Sequence, residues 1–184
     1  MKRIVLIGLF ASLIINAYGQ DKLFTRTGHI WFFSHTPVED IEAHNKQVSS
    51  IIDKSNGGIV FSVPMIAFQF KKALMEEHFN ENYVETDTYP NATFKGTIKN
   101  IKDVDFSKDG QYPVTVSGNL TLHGVTKPVE TKGLLEKKGD IVHGSATFTI
   151  APEDYNIEIP GIVRDKIAKT MDVHVDIDYK PFTK

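Results

Sequence analysis

Histidine and carboxylate side chains are the reactive ligands of note in this 184-residue sequence, because it has no cysteine. That absence excludes disulfides, thiolate catalysis, Cys-ligated zinc and iron–sulfur clusters. The densest polar group is Asp172, His174, Asp176 and Asp178, whose spacing of two places all four on one face of a strand. Imidazole and carboxylate could bind a metal there, but the solvated face of a half-buried strand has the same pattern. We interpret the group as a solvated face and predict no metal and no cofactor.

Acid–base catalysis would need a histidine and a carboxylate brought together in one cavity. The candidate bases are His29, His35, His44, His78 and His174. The motifs G-x-S-x-G, G-x-x-x-x-G-K-[ST], H-E-x-x-H and G-x-G-x-x-G are all missing, so the common nucleophile, phosphate, zinc and dinucleotide sites receive no support. A small hydrolase or isomerase with its acid–base pair at a barrel mouth is therefore the alternative hypothesis for function.

The first nineteen residues have the pattern of a secretory signal peptide. A basic head at Lys2-Arg3 precedes an apolar run over residues 4–15 and a small-x-small step at Ala17-Tyr18-Gly19. The run is too short for a membrane span, which needs roughly 20 apolar residues. We predict cleavage after Gly19, a periplasmic or secreted mature chain over 20–184, and no integral membrane span.

The mature chain is acidic overall, which argues against nucleic acid as a partner. Cleavage after Gly19 leaves 19 basic residues against 23 acidic ones, a net charge of −4 with histidine neutral. Such a surface has no general attraction for nucleic acid or anionic lipid headgroups.

Alternation with a period of two dominates the rest of the sequence and predicts antiparallel strands. It is clearest over 171–179 and 112–122, recurs over 94–98, 146–150 and 59–63, and is less clearly phased near 30–35 and within 41–53. Turn signals such as Asn56-Gly57-Gly58 and Lys138-Gly139-Asp140 separate the runs.

A single helix is predicted over 71–80, where Leu74, Met75, His78 and Phe79 lie on one stripe. One helix cannot cover a sheet of seven or eight strands, so the sheet must bury its apolar face on itself. A closed barrel and a β-sandwich both satisfy this requirement. A secreted sandwich used for protein contacts is a third hypothesis.

Five segments in a fixed order carry a specific family resemblance. They are EHFNENY (77–83), YPNATFKG (89–96), GNLTLHGVTKPV (118–129), ATFTI (146–150) and VHVDI (173–177). In this order and spacing they resemble the YceI-like family of exported polyisoprenoid-binding proteins. The resemblance extends from about Gly58 to the end of the chain.

The resemblance implies an all-β fold: a single lipocalin-like antiparallel barrel of about eight strands with one short helix. It also implies a non-catalytic carrier that holds an isoprenoid or similar long-chain amphiphile in the barrel interior. Two copies could associate through an outer face of such a barrel. The tunnel-lining residues expected from the family motifs are Phe94, Leu120, Leu122, Phe148, Ile150, Val173, Val175 and Ile177. The apolar pattern near the helix adds Phe61, Met65, Phe68, Phe70, Leu74, Met75 and Phe79.

Overall fold

Long strands make up most of the molecule, as the alternating sequence predicts. The computed structural model describes residues 21–182. The strands are β1 (Lys22–His35), β2 (Asp40–Asp53), β3 (Gly58–Pro64), β4 (Gln69–Phe70), β5 (Asn91–Ile98), β6 (Gly110–Leu122), β7 (Val125–Lys138), β8 (Ile141–Ile150) and β9 (Met171–Pro181). The α-helix, α1 (Ala73–His78), continues into a π-helical turn over Phe79–Tyr83. Short 3₁₀ turns occur at Met65–Ala67, Ile101–Asp103, Pro152–Tyr155 and Gly161–Val163.

Eight of the strands form a closed antiparallel barrel. Their order is β1-β9-β8-β7-β6-β5-β3-β2, and β2 pairs back onto β1 along most of its length. The two-residue strand β4 adds to β2 at Ala43 and His44 only. The predicted barrel is thus confirmed and the sandwich alternative is wrong, because the β1–β2 ladder leaves no division into two sheets. Within residues 21–182 no helix is long and apolar enough to cross a membrane.

The two ends of the barrel differ in the connections they carry. The upper end has the hairpin turns 36–39 and 123–124 and the two long connections 65–90 and 151–170. The lower end has connections 54–57, 99–109 and 139–140. At the lower end Leu23, Ile52, Ile98, Ile101 and Val104 are all buried. Apolar packing therefore closes the lower end.

A pair of inward-facing glycines makes room for an aromatic ring in the barrel wall. Gly96 on β5 lies directly opposite Gly118 on β6. A Cβ atom built on Gly118 would lie 2.4 Å from the Cα of Gly96 and 2.7 Å from Cζ of Phe94. The β5–β6 ladder runs through Gly118 without a register shift, so this glycine does not mark a bulge. Its role is instead the close approach of two backbones beneath the Phe94 ring.

The wall between β7 and β8 is only partly built from paired strands. Their ladder runs from Lys138↔Ile141 up to Gly133↔Ala146 and stops there. Just above, the Thr131 hydroxyl donates a hydrogen bond to the Thr147 carbonyl oxygen at 3.0 Å. From this point to the upper end, the two strands have no backbone ladder between them in the described structure.

The segment after β8 covers this unpaired region. Its 3₁₀ turn, Pro152–Tyr155, contacts β7, and Ile157 and Ile159 are buried within the core. His123 ties the segment down, because its Nδ1 lies 3.0 Å from the carbonyl oxygen of Tyr155 while its Nε2 lies 2.9 Å from a Glu85 carboxylate oxygen. An irregular segment therefore completes the barrel wall.

Candidate functional site

The barrel encloses a cavity of about 320 Å³ whose lining is almost entirely apolar. This volume lies at the lower end of the range that small-molecule sites occupy. Inward residues of every barrel strand contribute to the lining, since successive side chains of a strand face opposite sides of the sheet. The cavity extends from Ile177 and Tyr179 near the lower end to Met75, His78 and Lys166 at the upper end. Because Lys166 and His78 are exposed, the cavity reaches solvent at the upper end.

An aromatic cluster surrounds the upper part of the cavity. Phe79, from the turn after α1, packs against Phe70 at 5.0 Å, Phe68 at 5.6 Å and Phe32 at 5.8 Å between ring centroids. These separations are typical of favourable aromatic pairs. The cluster joins β1, β4 and α1, so it fixes the long 65–90 connection against the barrel.

Fourteen of the fifteen residues predicted to line the tunnel do line this cavity. They are Phe61, Met65, Phe68, Phe70, Met75, Phe79, Phe94, Leu120, Leu122, Phe148, Ile150, Val173, Val175 and Ile177. The strand residues lie on the inner face because the apolar members of each alternating strand point into the barrel, as expected. Those near the helix are brought in by the 65–90 connection.

The prediction for Leu74 is wrong. Its side chain is 61% exposed and does not contribute to the cavity. Both Leu74/His78 and Met75/Phe79 have the i, i+4 spacing that places residues on one helical face. The helix docks through Met75 and Phe79, and Leu74 lies about 100° around the axis from Met75, toward solvent.

Sequence reasoning missed the contribution of the 151–170 connection. This segment adds Pro152, Ile157, Ile159, Val163 and Ile167 to the lining. Its backbone hydrogen bonds are local turns rather than a ladder or a helix, so no periodicity marked these residues as inward. The one available signal was the density of aliphatic residues between Ile157 and Ile167.

Four charged or titratable side chains reach the upper part of the cavity: Glu39, His78, Tyr83 and Lys166. The Glu39 carboxylate pairs with the Lys72 ammonium at 2.5 Å. Within residues 21–182 no hydrogen bond or ion pair joins His78 to a carboxylate. The acid–base pair of the alternative hypothesis is therefore not assembled at this opening.

A buried hydroxyl pair lies at the lower end of the cavity. Ser50 Oγ is 2.7 Å from the phenol oxygen of Tyr179 and 2.9 Å from the carbonyl oxygen of Val60. Because a carbonyl can only accept, Ser50 donates to Val60 and the Tyr179 hydroxyl donates to Ser50. Burial raises the pKa of Tyr179 far above its ordinary value. The phenol is thus neutral and holds β9 to β2 across the closed end.

Several histidines of the catalytic hypothesis lie on the outer face of the barrel. His29 Nε2 and His44 Nδ1 share a hydrogen bond of 2.9 Å, and the His29 ring stacks on Trp31 at 4.6 Å. Trp31 stacks in turn on His174 at 4.8 Å. Burial, followed by the nearby His44, lowers the pKa of His29. These rings form a stacked row across three strands, away from the cavity.

The remaining polar groups of β9 also face outward. His174 bonds to the Thr147 hydroxyl at 3.1 Å, and Asp178 pairs with His143 at 2.9 Å. His35 pairs with Asp40 beside the 36–39 turn. In the described part of the chain, no group of three or more His, Asp or Glu side chains is placed to hold a metal ion.

Comparison with known proteins decides the family. The model of the YceI-like domain matches residues 22–179, nearly all of the described chain. The chain belongs to the YceI-like family. A UPF0312 protein of Pseudomonas putida strain W619 is 29% identical over 103 residues, which cover 53% of this chain and 48% of the relative. The chain thus spans about half the length of the curated relatives it matches.

Two solved structures share the fold of this chain. A polyisoprenoid-binding domain from Saccharophagus degradans, implicated in plant cell wall breakdown, superposes with a TM-score of 0.77 at 17% identity, covering 88% of this chain and 99% of that domain. BcnA of Burkholderia cenocepacia superposes with a TM-score of 0.68 at 15% identity, covering 82% of this chain and 95% of BcnA. At such identities the likeness establishes the fold alone.

Proposed function

We propose that this YceI-like protein is a non-catalytic carrier that holds an isoprenoid or similar long-chain amphiphile inside its barrel. The observation that carries the proposal is the apolar cavity of about 320 Å³, which is closed at the lower end and open at the upper end. The polyisoprenoid-binding domain of S. degradans, with the same fold, supports this ligand class.

The energetics favour a long tail over a short one. Burying one methylene contributes about 0.8 kcal/mol, so ten contribute roughly 8 kcal/mol. The cost of association is of the same order, roughly 4 to 15 kcal/mol. A short chain is therefore expected to bind poorly, whereas a prenyl tail that fills the cavity gains much more. The polar head is expected at the upper end, beside Lys166 and His78, which line the opening.

Export is part of the proposal. The segment 1–19, the proposed signal peptide, lies outside the described residues, and the described barrel begins directly after it at residues 21–22. We propose that the mature protein acts in the periplasm or outside the cell, where a water-insoluble lipid needs a protein carrier.

Solvent extraction of the purified mature protein, followed by mass spectrometry, tests the proposal. The expected result is a co-purified isoprenoid or related amphiphile near one molecule per barrel. Phe148→Asp places a carboxylate in the cavity and is expected to abolish this occupancy, because burying an unpaired charge is strongly unfavourable. Thr147→Asp, one residue earlier on the exposed outer face beside His174, is the matched control.

A second variant separates loss of binding from loss of folding. Val116→Trp adds bulk on the inner face of β6 without adding charge. It is expected to retain the far-ultraviolet dichroism of the wild type while losing most of the bound lipid. Full occupancy in both cavity variants would show that the ligand lies elsewhere and would contradict the proposal.

A further inference from the structure

Four large aliphatic side chains are exposed at the upper end of the barrel: Ile66, which is 63% exposed, and three that lie on neighbouring connections. Val38 is 59% exposed, Leu74 is 61% exposed and Ile162 is 88% exposed. They belong to three different connections: the 36–39 turn, helix α1 and the 3₁₀ turn Gly161–Val163. Single exposed aliphatic residues are ordinary, but these three share the end at which the cavity opens.

Contacts between the connections place the three side chains along one rim. Lys72 at the start of α1 pairs with Glu39, so α1 lies beside the 36–39 turn. On the other side, the backbone N–H of Ala168 donates to the buried Ser34 hydroxyl at 2.9 Å, which holds the 160–169 segment against the end of β1. Val38, Leu74 and Ile162, which we call the rim tips, therefore follow one another around the opening.

The charges immediately beside the rim tips nearly cancel, while the upper end as a whole is acidic. Segments 36–39, 71–77 and 160–169 together contain five basic and four acidic residues. Over all the upper-end connections (36–39, 65–90, 123–124 and 151–170) the count is five basic and ten acidic residues, which gives no attraction to an anionic surface. Apolar contact, rather than charge, is what this rim offers to a partner.

We propose that the rim tips dock the open end of the barrel onto a lipid bilayer and insert into its interface. This inference rests on the proposed function, because a lipid taken directly from a bilayer would enter the cavity without crossing water. Glu39 and Lys166, which line the cavity, belong to the same connections as the rim tips. The opening and the docking surface are therefore continuous.

A second copy of the chain is a poorer occupant for this surface. Stable protein interfaces bury roughly 1,200 to 2,000 Å² over closely fitting surfaces. The rim tips are three separate projections around an opening, with charged side chains between them. Separate apolar projections fit the soft interface of a bilayer, into which each side chain can insert by itself.

Flotation of the mature protein with phosphatidylcholine vesicles tests the proposal. The wild type is expected to float with the vesicles. Each of Val38→Asn, Leu74→Asn and Ile162→Asn is expected to lower the partition coefficient about tenfold, the effect of removing one buried aliphatic side chain. Ile141→Asn, at an exposed isoleucine on the lower end, is the matched control and should bind like the wild type.

Charge gives a second readout. Adding phosphatidylglycerol to the vesicles is expected not to strengthen binding, because the upper end has no excess of basic residues. Wild-type protein that stays out of the floating layer, or a triple rim-tip variant that floats like wild type, would overturn the docking proposal. Rim-tip substitutions that convert a dimer into a monomer without any vesicle binding would also overturn it.

The bound lipid of every protein is measured in parallel by solvent extraction. Wild-type protein that contains lipid but does not float contradicts the docking proposal alone. Wild-type protein that floats with an empty cavity supports docking and contradicts the carrier function. The two proposals can therefore fail separately.

Discussion

The hydroxyl pair at the closed end of the cavity predicts an asymmetry between two conservative substitutions. In Tyr179→Phe, Ser50 still donates its proton to the Val60 carbonyl, so the variant loses one hydrogen bond. In Ser50→Ala, the Tyr179 hydroxyl is left buried without an acceptor and the Val60 carbonyl also loses its side-chain donor.

The magnitudes follow from the burial of both groups, which are 1% and 2% exposed for Tyr179 and Ser50. A net hydrogen bond contributes about 0.5 to 1.5 kcal/mol to the free energy of unfolding, and an unsatisfied buried polar group costs about 1 to 3 kcal/mol. Tyr179→Phe is therefore expected to destabilise by about 1 kcal/mol, and Ser50→Ala by about 2 to 3 kcal/mol.

Urea denaturation of the two variants and of the double variant measures these differences. The double variant should be more stable than Ser50→Ala alone, because it removes the orphaned phenol. Equal losses in the two single variants, or a larger loss in Tyr179→Phe, would refute the assigned donor order.

The pH dependence supplies an independent check on the same tyrosine. Its pKa in the folded protein lies above the ordinary value of 10.0, so above pH 10 the unfolded chain releases a proton that the folded chain retains. Stability is therefore complete below pH 10 and falls as the pH rises, by up to about 1.4 kcal/mol per pH unit for this group. Tyr179→Phe should lose stability less steeply than wild type in that range.

Two further substitutions test the barrel wall and the outer aromatic row. Gly118→Ala places a Cβ 2.4 Å from the backbone of Gly96 and 2.7 Å from the Phe94 ring, and a loss of about 2 kcal/mol or more is expected in urea denaturation; wild-type stability would contradict the close approach. The pKa of His29 lies below its ordinary value of 6.5, so below pH 6.5 the unfolded chain binds a proton that the folded chain does not. The free energy of unfolding therefore decreases as the pH falls below 6.5. His29→Gln should reduce the fall in melting temperature between pH 7 and pH 5. The same pH dependence in the variant and the wild type would contradict the burial of His29.

The barrel and most of its lining could be predicted because period-two alternation directly determines which side chains face inward. On β9 the alternation is unbroken from Met171 to Tyr179, and every apolar member of that set lines the cavity. The family motifs also predicted that Phe94, Leu120 and Phe148 face the barrel interior. The YceI-like assignment, the closed barrel and these positions were all available before any coordinates.

The connections at the upper end could not be predicted in the same way. The 71–80 stripe fitted two helical faces, and only packing against the phenylalanine cluster decides between Leu74 and Met75. The segment from Ile157 to Ile167 has no regular period, so its place in the wall depends on tertiary contacts such as the His123–Tyr155 hydrogen bond. Likewise, 129 residues separate Ser50 from Tyr179 in the chain, and only barrel closure brings their hydroxyls together.

The central claim is that the barrel interior holds a hydrocarbon guest, and a high-resolution crystal structure of protein purified without detergent tests it most directly. We expect continuous elongated electron density that begins near Ile177, passes Phe61 and Phe94, and leaves the barrel beside Lys166. An interior filled by interlocking side chains, or occupied by ordered water alone, would contradict the claim.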